Sequence, residues 1–305
     1  MHNYRAFGLH ISSELEFKEL TPLDHVVDSP DLEFRLKDFG CEIPEMGAQP
    51  EFDFEDEIVC QMIWPGMVCA RIVGPNLIEV QLYPGVLERL IPFPLLGPVL
   101  GWALHLRGYF VLHASAVAWQ GRTIVLLGDK GAGKSTTATA FLRAGANLLT
   151  DDLLAIDMIN FERPTIMPAY GQIKLVTETS KQISPPDSEE LPLVWDNFPK
   201  RQYRVSDMQQ TPMPCDYVFV LNRTENDLSI DWLDGIQALA HLMRFSYNIR
   251  FTEAPDRLQR PDRHLKYCAS VAKSASVGRL NVPHDLRRLD DAIAFVSETL
   301  LSPGQ

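Results

Sequence analysis

The sequence predicts an α/β fold in which a β-rich N-terminal part precedes a larger part that alternates strands and helices. Three observations predict it. Residues 1–86 contain short runs in which apolar and polar residues alternate, which is typical of half-buried strands. Residues 87–108 form an apolar junction. From residue 109 to residue 305, short apolar strands alternate with amphipathic helical patterns, as in α/β domains.

The N-terminal part is predicted to be a small meander or sandwich, because Phe7, Leu9 and Ile11 alternate with polar or small residues and later runs do the same. It also carries the acidic charge of the chain. Residues 1–108 contain 7 Lys/Arg and 17 Asp/Glu, a net charge of -10, and the whole chain has a formal net charge of -12. The densest stretch, Glu51–Glu57, is interpreted either as a solvated face or as a docking surface for a basic partner.

The junction predicts a kinked, buried helix. Leu90–Leu104 is uncharged and contains three prolines, and it is shorter than the roughly 18 residues that span a bilayer. Five scattered cysteines without a CxxC pair suit a reducing compartment, and the N-terminus lacks the pattern of a signal peptide. We therefore expect a cytoplasmic protein without a membrane partner. The acidic balance also argues against a nucleic-acid partner.

Residues 109–305 begin with strand patterns on both sides of a glycine-rich loop, and a helical pattern follows this loop and ends near Gly145. Later apolar runs predict two further strands and three helices. The strands are Cys215–Arg223 and Ser276–Val282, and the helices are Ile236–Phe245, His264–Lys273 and Asp285–Leu300.

The glycine-rich loop, "GDKGAGKS", matches G-x-x-x-x-G-K-[ST] and lies between an apolar strand and a helix. Its glycines allow backbone N–H groups to face a phosphate chain, and the helix N-terminus adds partial positive charge. Lys134 would neutralise β and γ oxygens, the Ser135 hydroxyl would bind Mg²⁺, and Thr136 would lie near the α-phosphate. The predicted nucleotide-binding residues are Gly128, Asp129, Lys130, Gly131, Ala132, Gly133, Lys134, Ser135 and Thr136.

Two aspartates, Asp151 and Asp152, follow the loop closely enough to place them at the end of the neighbouring strand. There, one carboxylate can hold Mg²⁺ while the other accepts a proton from an attacking hydroxyl. Successive strand residues point in opposite directions, so a bend is needed if both are to face the loop. A surface turn is the alternative interpretation of the pair. His113, on the strand before the loop, is by itself more typical of a core residue.

The segment Leu112–Asp157 resembles the catalytic core of the HPr kinase/phosphorylase family, in which H-x-S/G-x-V precedes the phosphate loop and an acidic pair follows it. "HASAV" begins here at His113. The chain is most similar to the shorter serine-kinase-like branch, which includes kinases encoded with lasso-peptide genes. The opening "YRAFGLHISSELEFKEL" and the tail "VGRLNVPHDLRRLDDAI" also resemble that branch.

The resemblance implies a P-loop kinase domain of the HPr kinase (PEP carboxykinase-like) type with a mixed sheet over residues 109–305. It also implies that Asp151 is the general base, that Asp152 binds Mg²⁺ and that His113 lies next to the base and positions it. Gln172 and Lys174 stand where bifunctional members carry Glu and Arg, so reverse phosphorolysis is not expected.

A basic cluster follows the Pro-rich acidic segment at residues 184–199, which is predicted to be a mobile loop and a candidate lid. We interpret this cluster either as a set of phosphate or substrate contacts or as a solvated strand edge. The cluster consists of Lys200, Arg201 and Arg204, and together with Gln172 and Lys174 these residues are the candidate contacts.

Together these patterns predict an ATP- and Mg²⁺-dependent serine kinase. The resemblance implies a peptide partner that carries the acceptor serine, with the C-terminal serine of a lasso precursor as one candidate, and a homo-oligomer as a candidate assembly. A kinase of a small hydroxylated metabolite and a non-catalytic nucleotide-sensing protein are the alternatives.

Overall fold

The structure is a computed structural model that describes residues 1–25, 28–54, 59–225 and 227–301. In these residues the chain has an α/β architecture with two mixed eight-stranded sheets and one three-stranded sheet. Of the acidic stretch Glu51–Glu57, the first three residues form a strand, and residues 55–57 lie outside the described residues.

The first sheet is built by the N-terminal part. Its strands are β1 His2–Ala6, β2 Leu9–Ser13, β3 Thr21–Pro22, β4 Leu32–Leu36, β5 Glu51–Asp53, β6 Val59–Trp64, β7 Val68–Val73 and β8 Leu77–Leu82. Their spatial order is β3-β1-β2-β4-β8-β7-β6-β5. Strands β5 to β8 form an antiparallel meander, but β4 pairs in parallel with both β2 and β8. The predicted meander therefore describes only half of this sheet, because long-range parallel pairing leaves no local sequence signal.

The junction is a helix interrupted by prolines, as predicted. Helix α1 (Pro92–Pro94) continues through a π-helical turn (Leu95–Val99) into α2 (Leu100–Leu106). Pro98 lies inside this turn and has no N–H to donate. By length and hydropathy alone, the segment from Glu88 to Leu106 could cross a membrane, but 72% of it is buried inside the protein.

The second sheet belongs to the larger part of the chain. Its strands are β9 Phe110–Trp119, β10 Arg122–Leu127, β11 Asn147–Asp157, β12 Thr165–Met167, β16 Met213–Pro214, β17 Tyr217–Thr224, β18 Ser229–Trp232 and β19 Ser276–Pro283. Their order is β16-β12-β11-β9-β10-β17-β19-β18. Because β9 runs antiparallel to β10 and β11 while β10, β17 and β19 are parallel, the sheet is mixed, as expected.

Helices cover both faces of the second sheet. The helices in this part are α3 Lys134–Arg143, α4 Thr177–Ser180, α5 Gly235–Phe245, α6 Asp256–Gln259, α7 Pro261–Ser274 and α8 Leu289–Leu301. Phe141 of α3 and Ile293 of α8 share one core, whereas Leu242 of α5 and Val271 of α7 share the core on the opposite face. Because β10 and β17 are parallel, the loop after β10 and the end of β17 lie at the same edge of the sheet.

The small third sheet has the order β13-β15-β14, with β13 at Gln172–Val176, β14 at Ser188–Leu191 and β15 at Lys200–Val205. Strand β14 lies inside the segment predicted to be a mobile loop, so that prediction is wrong for these four residues. Glu189 and Glu190 of β14 form ion pairs with Arg204 and Arg201 of β15. Part of the acidic segment is thus paired with its basic neighbour, and local composition does not reveal this pairing.

Candidate active site

The glycine-rich loop connects β10 to α3 and has the backbone that its glycines permit. The φ angles of Gly131 and Gly133 are +88° and +91°, in the left-handed region that disfavours residues with a Cβ atom. Gly133 directly precedes α3. A Cβ atom built on Gly133 would lie 1.9 Å from Nη2 of Arg223, whereas one on Gly131 would meet no atom within 4 Å.

This difference gives a matched pair of variants. Gly133→Ala should destabilise the protein by about 1–3 kcal/mol and disrupt the loop, because it adds a clash to the backbone strain. Gly131→Ala has the same strain without the clash and should destabilise less. Urea unfolding of both variants measures the difference. Equal destabilisation would contradict the contact between Arg223 and Gly133.

Lys134, the first residue of α3, is buried at the loop. Its ammonium donates to the backbone oxygens of Gly128 and Asp129, at 2.8 and 3.4 Å. Burial lowers the pKa of Lys134, and the charges of Asp151 and Asp152 oppose that shift. The site thus holds a cation close to the two carboxylates.

Asp151 accepts hydrogen bonds from three elements. Its Oδ1 accepts from the hydroxyl of Ser115 on β9 and from the hydroxyl of Ser135 on α3, the latter at 2.9 Å. Its Oδ2 accepts from the backbone N–H of Lys174 on β13, at 3.1 Å. With 8% exposure, this carboxylate is fixed against the loop serine.

Asp152 is held separately, by His113 and Lys174. Nδ1 of His113 lies 2.9 Å from Oδ1 of Asp152 and 3.0 Å from its backbone oxygen, so this nitrogen carries the donated proton. Nζ of Lys174 lies 3.6 Å from Oδ2 of Asp152. Burial raises the pKa of Asp152, but the hydrogen bond from His113 and the charge of Lys174 outweigh it and hold the pKa well below its usual range.

The bend required by the sequence is present at the acidic pair. Asp152 has a φ of +99°, which is rare for a residue with a Cβ atom, and the Thr150 hydroxyl donates to the backbone oxygen of Leu153 across it. Both aspartates therefore line one cavity of about 460 Å³ instead of facing opposite sides of the strand. A strained backbone that brings two carboxylates together is typical of a functional site.

The cavity collects most of the predicted site residues. Its predicted lining residues are His113, Lys130, Gly131, Gly133, Lys134, Ser135, Thr136, Asp151, Asp152, Lys174 and Lys200. Of the remaining loop residues, Ala132 accepts a hydrogen bond from Arg223, and Asp129 forms a two-oxygen ion pair with Arg244 of α5. Among the described residues that line the cavity, five Lys or Arg side chains face two aspartates, which favours an anionic ligand.

Three predicted contacts lie elsewhere. Gln172 is buried and its side-chain amide donates to Gln202 at 2.9 Å, outside the cavity lining. Arg201 and Arg204 are bound by the carboxylates of β14, so the basic cluster does not act as one unit. Lys200 alone of that cluster reaches the cavity, since it begins β15 opposite Val176 of β13.

Sequence reasoning missed two residues of the site, Arg223 and Ser115. Nε of Arg223 donates to Ala132 and Nη1 donates to Pro283, at 3.0 and 3.2 Å, and the side chain lines the cavity. Its signal was its place at the end of an apolar strand parallel to β10. The signal for Ser115 was its place two residues after His113, on the same face of β9.

Comparisons with known proteins add little to this geometry. No model of a known protein family matches the chain, and no curated protein matches it. Among solved structures, the chain is similar to the HPr(Ser) kinase/phosphatase from Coxiella burnetii, with 9% identity and a TM-score of 0.31 over 62% of this chain and 97% of that one. A likeness this distant does not indicate a function.

Proposed function

We propose that this protein is an ATP-dependent serine kinase of the HPr kinase type, with the β-rich N-terminal part as a separate domain. The observation that carries the proposal is the convergence of the loop, Asp151 and Asp152 on one cationic cavity. A phosphate loop alone indicates only nucleotide binding. A second carboxylate that is not bound to the loop serine, and is oriented by a histidine, adds the group that transfer to a hydroxyl requires.

The residues present fit ATP with Mg²⁺. Among the described residues, no group of three or more His, Cys, Asp or Glu side chains could hold a metal, which argues against a metal bound by protein alone. Mg²⁺ binds through one or two carboxylates together with phosphates. Ser135 and Asp151, joined at 2.9 Å, would hold it, and the ion would neutralise charge on the transferring phosphoryl group. Arg223 and Lys134 would bind the phosphate chain.

The contacts favour a division of roles opposite to the one that the family resemblance implies. His113 contacts Asp152, whereas Asp151 contacts the loop serine. We therefore assign Asp152 as the base and Asp151 to the metal. In the reaction, the serine hydroxyl gives its proton to Asp152 as its oxygen bonds to the γ-phosphorus. The bond from that phosphorus to the bridging oxygen breaks, and ADP leaves.

The pH dependence of the reaction tests the contact between His113 and Asp152. His113→Ala removes a hydrogen bond that lowers the pKa of Asp152, so this pKa should rise. Because the ionised carboxylate is the active form, the acidic limb of kcat/KM should move to higher pH. The matched control is His10→Ala, on β2 of the first sheet, and an unchanged limb in His113→Ala would contradict the assignment.

Two classes of acceptor fit the proposed chemistry. A serine on a peptide, with the C-terminal serine of a lasso precursor as one candidate, follows only from the resemblance of the sequence. A small hydroxylated metabolite would use the same residues. The Asp152–His113 pair disfavours a purely nucleotide-sensing protein, which needs no base.

The experiment that tests the function offers labelled ATP with Mg²⁺ to the protein together with serine peptides, free serine and sugars. Label on a peptide serine supports the proposal, and label on a small acceptor supports the alternative kinase. Nucleotide binding without label on any acceptor would overturn the kinase assignment.

A further inference from the structure

A short segment after β4 lies across the outer face of the first sheet, away from its core. The side chain of Gln81 on β8 fixes this segment with three hydrogen bonds. Its Oε1 accepts from the backbone N–H groups of Phe39 and Cys41, at 3.1 and 3.0 Å, and its Nε2 donates to the backbone oxygen of Cys41 at 2.7 Å. Residue 41 is therefore held beside Gln81.

Cys69 on β7 lies directly opposite Gln81 in the register of the sheet. Side chains of directly opposite residues share one face, with Cβ atoms about 4.5–5.5 Å apart. Arg71, two residues along the same face, covers the ring of Phe39 at 4.0 Å and anchors the segment a second time. The segment thus brings Cys41 over Cys69, because Gln81 holds the backbone of residue 41 and lies opposite residue 69.

The two thiols differ in access. Cys69 is fully buried, and burial, together with the contact with Cys41, raises the pKa of its thiol. Cys41 is partly exposed. An oxidant from solution can therefore reach Cys41 first, after which Cys69 is the nearest thiol.

We propose that Cys41 and Cys69 are a redox modification site that closes to an intramolecular disulfide with a small disulfide oxidant such as oxidised glutathione. The Cys41 thiolate attacks one sulfur of the oxidant, forms a mixed disulfide and releases one glutathione thiolate. The Cys69 thiolate then attacks the sulfur of Cys41, forms the protein disulfide and releases the second glutathione. Both protein thiols lose their protons to solvent, and the oxidant is reduced to two thiols.

The disulfide would join the segment covalently to the outer face of the sheet. It would close the chain from residue 41 to residue 69 and reduce the conformational freedom of the unfolded state. We expect the unfolding temperature to rise by about 5 °C. Because the buried thiol performs the second step, ring closure should be faster at alkaline pH than at neutral pH.

The test incubates the full chain with oxidised glutathione and maps its peptides without reduction. The expected result is a peptide pair joined through Cys41 and Cys69 that has lost two hydrogen atoms, together with the higher unfolding temperature. Cys41→Ser and Cys69→Ser should each lose both effects. A lasting mixed disulfide on Cys41, a link to Cys60 or the absence of any reaction would overturn the proposal, and none of these outcomes depends on kinase activity.

Discussion

Replacing Asp152 by Asn should lower kcat for phosphoryl transfer about 1,000-fold while leaving ATP affinity within about twofold of the original. The amide keeps the shape of the side chain but cannot accept the proton of the acceptor hydroxyl. Asp152 makes no hydrogen bond to the loop serine, and its contacts are with His113 and Lys174. The nucleotide site should therefore remain intact. Single-turnover kinetics and nucleotide titration measure the two quantities separately.

The control for this prediction is a variant that leaves the carboxylate in place. Lys174→Met keeps Asp152 and removes one positive charge near it, so it should reduce turnover less than the amide does. If Asp152→Asn turns over at the original rate, Asp152 is not the base. If it loses ATP binding as well, the two carboxylates do not have the separate roles that their contacts indicate.

The sequence predicted those parts of the site that depend on local spacing. The loop, the lysine and the acidic pair follow one another along β10, α3 and β11, and this short spacing predicted that they lie near one another. The predicted place of the pair, at the end of the neighbouring strand, is wrong, because the pair lies in the middle of β11 and β9 separates β11 from β10. The need for a bend at the pair was also predictable, because successive strand residues alternate in direction. The φ of +99° at Asp152 satisfies that need.

The contacts that the sequence could not place depend on pairing between distant segments. Whether His113 contacts Asp151 or Asp152 is decided by the register of β9 against β11, in which Leu153 lies opposite His113. Arg201 and Arg204 resemble phosphate ligands in sequence, but β14 brings two glutamates to them. Arg223 reaches the loop only because β17 pairs in parallel with β10 across about 90 residues of chain.

In the acidic first third of the chain, pairing between distant strands was likewise not predictable from the sequence. Alternating residues identified its strands, but the parallel pairing of β4 with β2 and β8 could not be read from them. The core of this sheet also contains side chains from the junction and the second sheet, such as Trp102 and Leu153. The two parts of the chain thus share buried side chains on both sides of residue 86. The domain boundary near this residue stays a prediction.

Replacing Asp151 by Asn should have a different signature from the change at Asp152. Oδ1 of Asp151 accepts from two hydroxyls, one of them on Ser135, and Oδ2 accepts from a backbone N–H. An amide either turns its NH₂ group against that backbone N–H or replaces the oxygen that the two hydroxyls donate to, so it cannot keep all three hydrogen bonds. We expect affinity for ATP in the presence of Mg²⁺ to fall about 10- to 100-fold. Affinity without Mg²⁺ should change little, since the loop amides and Lys134 remain.

Isothermal titration with and without Mg²⁺, on both Asn variants, distinguishes the roles without any acceptor. The same assignment predicts that Ser135→Ala has the same Mg²⁺-dependent loss and that its effect is not additive with that of Asp151→Asn, because the two side chains share one hydrogen bond and one proposed ion. Additive losses, or an equal loss at Asp152, would mean that the pair acts as a single charged unit. The roles inferred from the contacts with Ser135 and His113 would then have to be abandoned.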